Sequence, residues 1–217
     1  MTRRARQRRA PPAARLVLGL AGLALASRAA RGEHVRAWEV NVFRTINQLP
    51  DALGAPTWLV MQGGNLVAVP AAAWVASASG RPRLARRILL AGVSTWALAK
   101  VVKQGVRRPR PTVLLAHARS RGRPQSGLGF VSGHAGVATA LCAASLPELG
   151  HGGRRLAVAA TTAIALSRLY VGAHLPLDVV GGAALGLVVE AAVDLSGAAP
   201  LASTLITMEG HRGRREG

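Results

Sequence analysis

Three short segments of this chain carry residue types that together can handle phosphate. Lys103-x6-Arg110-Pro111 supplies two fixed cations, and Ser132-Gly133-His134 supplies a hydroxyl, a bare backbone position and an imidazole. Ser167-Arg168-x5-His174-x3-Asp178 adds a third cation, a second imidazole and a carboxylate. Displacement at phosphorus needs the charge spread over the equatorial oxygens to be offset, and three cations aimed at one group do that. Arg168 suits bidentate phosphate contact, whereas Lys103 acts as a point charge. His174 and Asp178 are four apart, which on a helix puts them on one face. The carboxylate can then accept the Nδ1 proton and leave Nε2 of His174 as a nucleophile. A turn at Gly172 is expected to bring Arg168 back beside that imidazole. If Ser132-Gly133 opens a helix, its free N–H groups and positive dipole end favour an anion. The Ser132 hydroxyl can donate to a phosphate oxygen, and His134 can protonate the departing alkoxide.

Several of these residues also have plainer accounts. Ser132 reads equally as an N-cap, and an Asp at a helix start is common. Interfacial snorkelling accounts for Arg107, Arg108, Arg119, Arg121 and Arg123, and packing or snorkelling for Lys100. Glu190 and Asp194 fall late in an apolar run, at the far end from the motifs, and read as helix-packing or interfacial groups. His34, His117, His151 and His211 lie in loops or tails and are assigned nothing. Cys142 stands alone inside an apolar run, so no intrachain disulfide is possible. No HExxH, Walker loop or acidic cluster is present, so the expected chemistry needs no metal and no cofactor.

The elements that must position these groups are membrane helices. Half of the 217 residues are apolar but only 3% are aromatic, and Ala and Gly abound. Small residues let helices pack backbone to backbone in lipid. The net charge of +19 raises nucleic acid as a partner. The arginines, however, cluster between apolar runs with no aromatic stacking platform, which argues against it. Residues 1–15 read as a basic cytoplasmic tail, 16–200 as a transmembrane domain and 201–217 as a polar basic tail. Within the domain, 16–30 reads as a first helix or as a signal-peptide core with Ala24-Leu25-Ala26 as its cleavage site. The uncleaved helix is the favoured reading. Glu33 to Leu53, with Trp38, Val42, Phe43, Ile46 and Leu49 at helical spacing, predicts an amphipathic helix at the interface or over the bundle. Spans are predicted at 56–79 (broken by Gly63-Gly64 and Pro70), 84–102, 134–149, 156–171 and 175–195. The expected architecture is therefore an all-α bundle of about six transmembrane helices. Gly182-x3-Gly186 in the last one permits close helix contact.

Alternating the spans puts all three motifs on one side of the membrane. The opposite side carries 15 of the 28 Lys and Arg residues, the motif side 13. With the loop arginines of 105–129 set aside for substrate anions, the positive-inside bias makes the 15-charge side cytoplasmic. The expected site faces outward from a multi-pass cell-membrane protein.

The three segments resemble the signature of the membrane type 2 phosphatidic acid phosphatase (PAP2) superfamily: K-x6-R-P, then P-S-G-H, then S-R-x5-H-x3-D. The resemblance covers roughly residues 35–195, and Val131 stands where the family usually has Pro. It implies His174 as the nucleophile that becomes phosphohistidine, Asp178 as its orienting carboxylate and His134 as the general acid. Lys103, Arg110, Ser132, Gly133 and Arg168 would hold the phosphoryl group. It also implies a six-helix all-α bundle acting on a membrane lipid phosphate, either a polyprenyl diphosphate such as undecaprenyl diphosphate or a phosphatidate-type lipid. Three rivals stand beside hydrolysis. They are transfer of the same phosphoryl group to a lipid or sugar acceptor, a haloperoxidase, and a non-catalytic membrane scaffold.

Overall fold

The computed structural model describes residues 10–32, 34–123 and 125–197. Most of the basic N-terminal tail and all of 201–217, with His211, lie outside the described residues. Among the described residues every regular element is helical. Helix α1 (Pro12–Ala29) is followed by α2 (Ala37–Asn47), α3 (Gly54–Met61), α4 (Ala68–Ala78) and α5 (Pro82–Val106). A four-residue turn α6 (Pro111–Leu114) precedes α7 (Gly133–Ser145), α8 (His151–Tyr170) and α9 (Pro176–Leu195).

Helices α7 and α9 form the centre, with α1 and α5 against α9, α5 also against α7, and α4 outside α5. The core is built largely from alanine, including Ala73, Ala91, Ala99, Ala135, Ala140 and Ala191. Close approach at the α7–α9 crossing depends on glycine. A Cβ at Gly182 would lie 2.3 Å from the Ser132 carbonyl oxygen, and one at Gly186 2.2 Å from that of Gly136. Val17, Leu18, Leu25, Trp58, Leu59, Trp74, Val101 and Leu156 point outward and exposed, an apolar exterior that suits lipid rather than water.

Among the described residues, α1 (18 residues) and α9 (20 residues) are long and apolar enough to cross a membrane. The stretch Asp51–Gly64 with Ala68–Ala78 makes a third if its 67° bend is counted within one span. That measure does not reach the six expected spans, for local reasons. Helix α5 carries Arg83, Arg86, Arg87, Lys100 and Lys103, α7 has only 13 residues, and α8 carries Arg154, Arg155 and Arg168. The bend itself falls at Asn65, whose Oδ1 accepts from the Ala68 amide at 2.9 Å. Pro70 sits in the first turn of α4, where a missing N–H costs nothing.

The inward face of α2 differs from the apolar one expected. Glu39, Phe43 and Asn47, at i, i+4 and i+8, are its buried residues, while Trp38 and Val42 stay exposed. Asn47 ties three segments together. Its Nδ2 donates to the carbonyls of Arg119 (2.9 Å) and Tyr170 (3.0 Å), and its Oδ1 accepts from the Arg119 amide at 2.8 Å. Arg15, grouped with the tail in sequence, lies in the first turn of α1 and is buried against Glu190 and Asp194 of α9.

Candidate active site

The three motif segments meet at one end of the bundle, where α5 ends, α7 begins, α8 ends and α9 begins. Helix α9 starts at Pro176, a residue pre-set for the first helical position. His174 therefore lies in the turn before the helix, not on the helical face with Asp178 as its spacing suggested. Gly172, at φ +76°, makes that turn, and a Cβ there would lie 2.1 Å from the Arg119 carbonyl oxygen. The amides of Ala173 and His174 then donate back to the Arg168 carbonyl at 3.1 and 3.2 Å. This brings Arg168 beside His174, as expected from Gly172.

Asp178 occupies the first turn of α9, where helix amides lack internal partners. Its Oδ2 accepts from the Leu175 amide at 2.8 Å and lies 3.7 Å from Nδ1 of His174. That separation is too long for a hydrogen bond. His174 is 3% exposed and Asp178 fully buried. Burial holds the His174 imidazole down at about 4, with Arg168 and Lys103 adding to the effect and Asp178 opposing it. The ring is accordingly neutral at neutral pH, the state a nucleophilic nitrogen needs.

The cations surround this pair. Lys103 Nζ donates to the carbonyls of Leu128 and Gly129, both at 3.1 Å. Arg110 donates from Nη1 to the Ala173 carbonyl at 2.8 Å and from Nε to that of Ser126 at 3.0 Å. Arg168 is 3% exposed, with Nη1 3.1 Å from the Met61 sulfur. Its Nε has no hydrogen-bond partner among the described residues, nor does Nδ1 of His174. Lys103, Arg168 and His134 lie within electrostatic reach of His174, and Arg110 within that of Asp178.

Ser132 caps α7 by accepting weakly from the Ala135 amide at 3.4 Å, and its own amide donates to the Asp178 carbonyl at 2.8 Å. The N-terminus of α7 is thus fastened to the first turn of α9. At Gly133 a Cβ would meet nothing within 4 Å, so the mouth above the first α7 amides is open. His134 follows in the same turn, backed by Gly64, where a Cβ would lie 2.7 Å from the His134 carbonyl oxygen. The eight residues singled out in the sequence thus lie together where α5 and α8 end and α7 and α9 begin.

Two neighbours escaped the sequence reading. Arg108, ascribed to interfacial snorkelling, is fully buried. Its Nη1 donates to Asp178 Oδ1 and to Glu39 Oε1, both at 3.1 Å, and its Nη2 to Glu39 Oε2 at 2.7 Å. Those two carboxylates raise the Arg108 pKa against the opposing effect of burial. Glu39, unassigned on α2, is also fully buried and accepts from the Leu177 amide at 3.2 Å. Arg121 is no snorkelling group either. It stacks over Tyr170 at 4.2 Å and donates to the carbonyls of Asn47 and Tyr170. Arg107, Arg119 and Arg123 are exposed, consistent with the interfacial account. At the other end of the bundle, Arg15 and Arg87 pair with Glu190 and Asp194, which settles these acids as helix-packing groups.

The PAP2 superfamily profile matches residues 84–195. The chain is 40% identical over 119 residues to decaprenylphosphoryl-5-phosphoribose phosphatase from two strains of Mycobacterium tuberculosis. That alignment covers 54% of this chain and 64% of the relative's length. Among solved structures, Aquifex aeolicus LpxE superposes with a TM-score of 0.66 at 22% identity, covering 73% of this chain and 95% of that one. The first transmembrane PAP2 type phosphatidylglycerolphosphate phosphatase from Bacillus subtilis gives 0.64 at 19% identity, with 83% and 94% covered. At these identities the two structures establish the shared fold.

Proposed function

The chain belongs to the PAP2 superfamily, and from that premise we propose that it is an integral-membrane phosphatase of lipid phosphates. The observation that carries this reading is the placement of Lys103, Arg110 and Arg168 around a buried, neutral His174 beside the N-terminus of α7. Nε2 of His174 attacks phosphorus and the bond from phosphorus to the leaving oxygen breaks, an alkoxide oxygen in a monoester and the bridging oxygen in a diphosphate. His134, protonated as the anionic substrate binds, delivers its proton to that oxygen. Water then attacks the phosphohistidine, His134 takes its proton, and inorganic phosphate leaves. Lys103, Arg110 and Arg168, with the Ser132 hydroxyl and the Gly133 amide, offset the charge on the three equatorial oxygens in both steps. Asp178 steadies the imidazolium side of His174. Besides the lipid and water, every group in this cycle is a protein side chain or backbone amide, so the proposed chemistry calls on no metal or cofactor.

The substrate is a phosphomonoester or diphosphate carried on a membrane lipid. The 40% identical relative is named for a decaprenyl-linked phosphoribose, which favours a polyprenyl carrier over a phosphatidate-type lipid. The site opens to the extracytoplasmic face of the cell membrane. The test is phosphate release in detergent from polyprenyl diphosphate, polyprenyl monophosphate, decaprenylphosphoryl-5-phosphoribose, phosphatidate and phosphatidylglycerophosphate, with EDTA throughout. Wild type releases phosphate from at least one polyprenyl lipid, and folded His174→Ala falls to background. Turnover that survives His174→Ala, or that EDTA abolishes, would refute the mechanism.

A further inference from the structure

We propose that Glu39 and Arg108 are positioning residues for the nucleophile, jointly fixing the place and the charge of the Asp178 carboxylate that faces His174. This brings α2, which lies outside the residues matched by the family profile, into the working part of the site. The inference rests on the phosphohistidine reading above.

The arrangement is a closed buried chain. Arg108 bridges the two carboxylates through Nη1, at 3.1 Å to each, and Nη2 holds the second oxygen of Glu39 at 2.7 Å. Both oxygens of Asp178 are thereby used, Oδ1 by Arg108 and Oδ2 by the Leu175 amide. The carboxylate plane cannot turn, and Oδ2 is left facing Nδ1 of His174. Glu39 also takes the Leu177 amide, so the same group anchors the first turn of α9, on which Asp178 stands.

Docking α2 does not need these charges. Phe43 already packs with Leu169 and Leu175 in an apolar cluster, and a buried ion pair is often no more stabilising than apolar residues of the same volume. What the charges do accomplish is local to Asp178. Six groups bear on the His174–Asp178 pair: Lys103 from α5, Arg110 before α6, His134 from α7, Arg168 from α8, Arg108 after α5 and Glu39 from α2. Glu39 is the one acid among them. Removing its charge leaves Arg108 to Asp178 alone, which weakens the carboxylate's hold on a proton at His174. Removing the charge of Arg108 does the opposite.

The test uses Glu39→Gln, Arg108→Met and Arg108→Lys in the full chain, purified in detergent. Folding is read from thermal unfolding, and kcat and KM for the best polyprenyl substrate are followed across the acid limb. Glu39→Gln lowers kcat about tenfold or more, the usual effect of losing a partner behind a reacting group, with little change in KM. Its acid limb moves to lower pH, that of Arg108→Met to higher pH, and Arg108→Lys leaves the limb in place while recovering part of kcat. Should Arg108→Met not fold, Glu39→Gln against Arg108→Lys still separates a lost charge, which moves the limb, from a retained one, which does not. A folded Glu39→Gln with wild-type kcat and acid limb overturns the proposal. So does a shift of both limbs in one direction, or full kcat in a Glu39→Leu/Arg108→Leu double variant. Failure of the phosphatase reading is distinguishable, because the wild type would then release no phosphate at all.

Discussion

The nucleophilic role proposed for His174 depends on where the chain buries it. An imidazole held at about 4 by desolvation stays neutral far below the usual histidine range. Two pH effects follow, with signs that can be worked out. Turnover by a neutral nucleophile is sustained as pH falls from neutrality, and the acid limb of kcat/KM, which reports the free enzyme, lies nearer 4 than 6.5. Stability behaves differently. Between about 6.5 and 4 the unfolded chain takes up a proton that folded His174 refuses, so stability falls as pH drops through that window. The slope is at most about 1.4 kcal/mol per pH unit for one such group. Thermal unfolding at several pH values, compared with His174→Asn, checks this. The variant should lose less stability on acidification than the wild type, and equal losses would remove His174 as the source. Of the site's side chains, the eight motif residues were legible because their spacing recurs as a pattern. Arg108 and Glu39 were not, since a buried pair 69 positions apart leaves no local signal. Arg108 looked like its exposed neighbour Arg107, and only the fold separates the two.

At the scale of elements, the site depends on two helix N-termini held in register. The α7–α9 crossing does this through backbone contact, with Gly182 against the Ser132 carbonyl and the Ser132 amide on the Asp178 carbonyl. Gly182→Ala would force a methyl to within 2.3 Å of that carbonyl oxygen, pushing Ser132 and Asp178 apart. The expected cost is about 1–3 kcal/mol or more, as for other overpacked sites, together with loss of turnover. Gly133→Ala is the informative contrast. Its Cβ enters open space, so the melting temperature should hold while kcat/KM drops, because the methyl intrudes where a phosphate oxygen would approach. Melting and kinetics on the two variants separate scaffold from cradle, and equal melting losses in both would contradict the assignment. The Gly182-x3-Gly186 spacing was readable as a close crossing, and the last three helices lie close to their predicted ranges. The placement of His174 was missed for a reason that was itself visible. Pro176 marks the first helical position, so a residue two before it cannot share the helix face. On α2, the outward Trp38 and Val42 and the buried Phe43 fit an amphipathic helix over the bundle, whereas the buried polar Glu39 and Asn47 leave no periodic apolar signal.

Across the whole molecule, the two ends of the bundle use arginine in different ways. At the end away from the site, Arg15 of α1 and Arg87 of α5 close over Glu190 and Asp194 of α9 and tie three helices together. At the site end, Lys103, Arg108, Arg110, Arg121 and Arg168 are drawn into buried or half-buried contacts. A cation committed to protein partners weighs less in membrane orientation than one in a free loop. Withdrawing these five from the motif side's 13, against Arg15, Arg87 and the half-buried Arg154 from the other side's 15, still widens a margin that was thin in sequence. This favours the outward orientation proposed above, and the orientation can be tested without an activity assay. In a Cys142→Ala background, Gln125→Cys lies in the exposed loop beside the site, and Ser79→Cys in the exposed turn between α4 and α5 at the opposite end. A membrane-impermeant maleimide applied to intact cells should label Gln125→Cys and spare Ser79→Cys until the membrane is opened. The reverse pattern would turn the site toward the cytoplasm, and the substrate would then have to be a lipid phosphate presented on the inner leaflet.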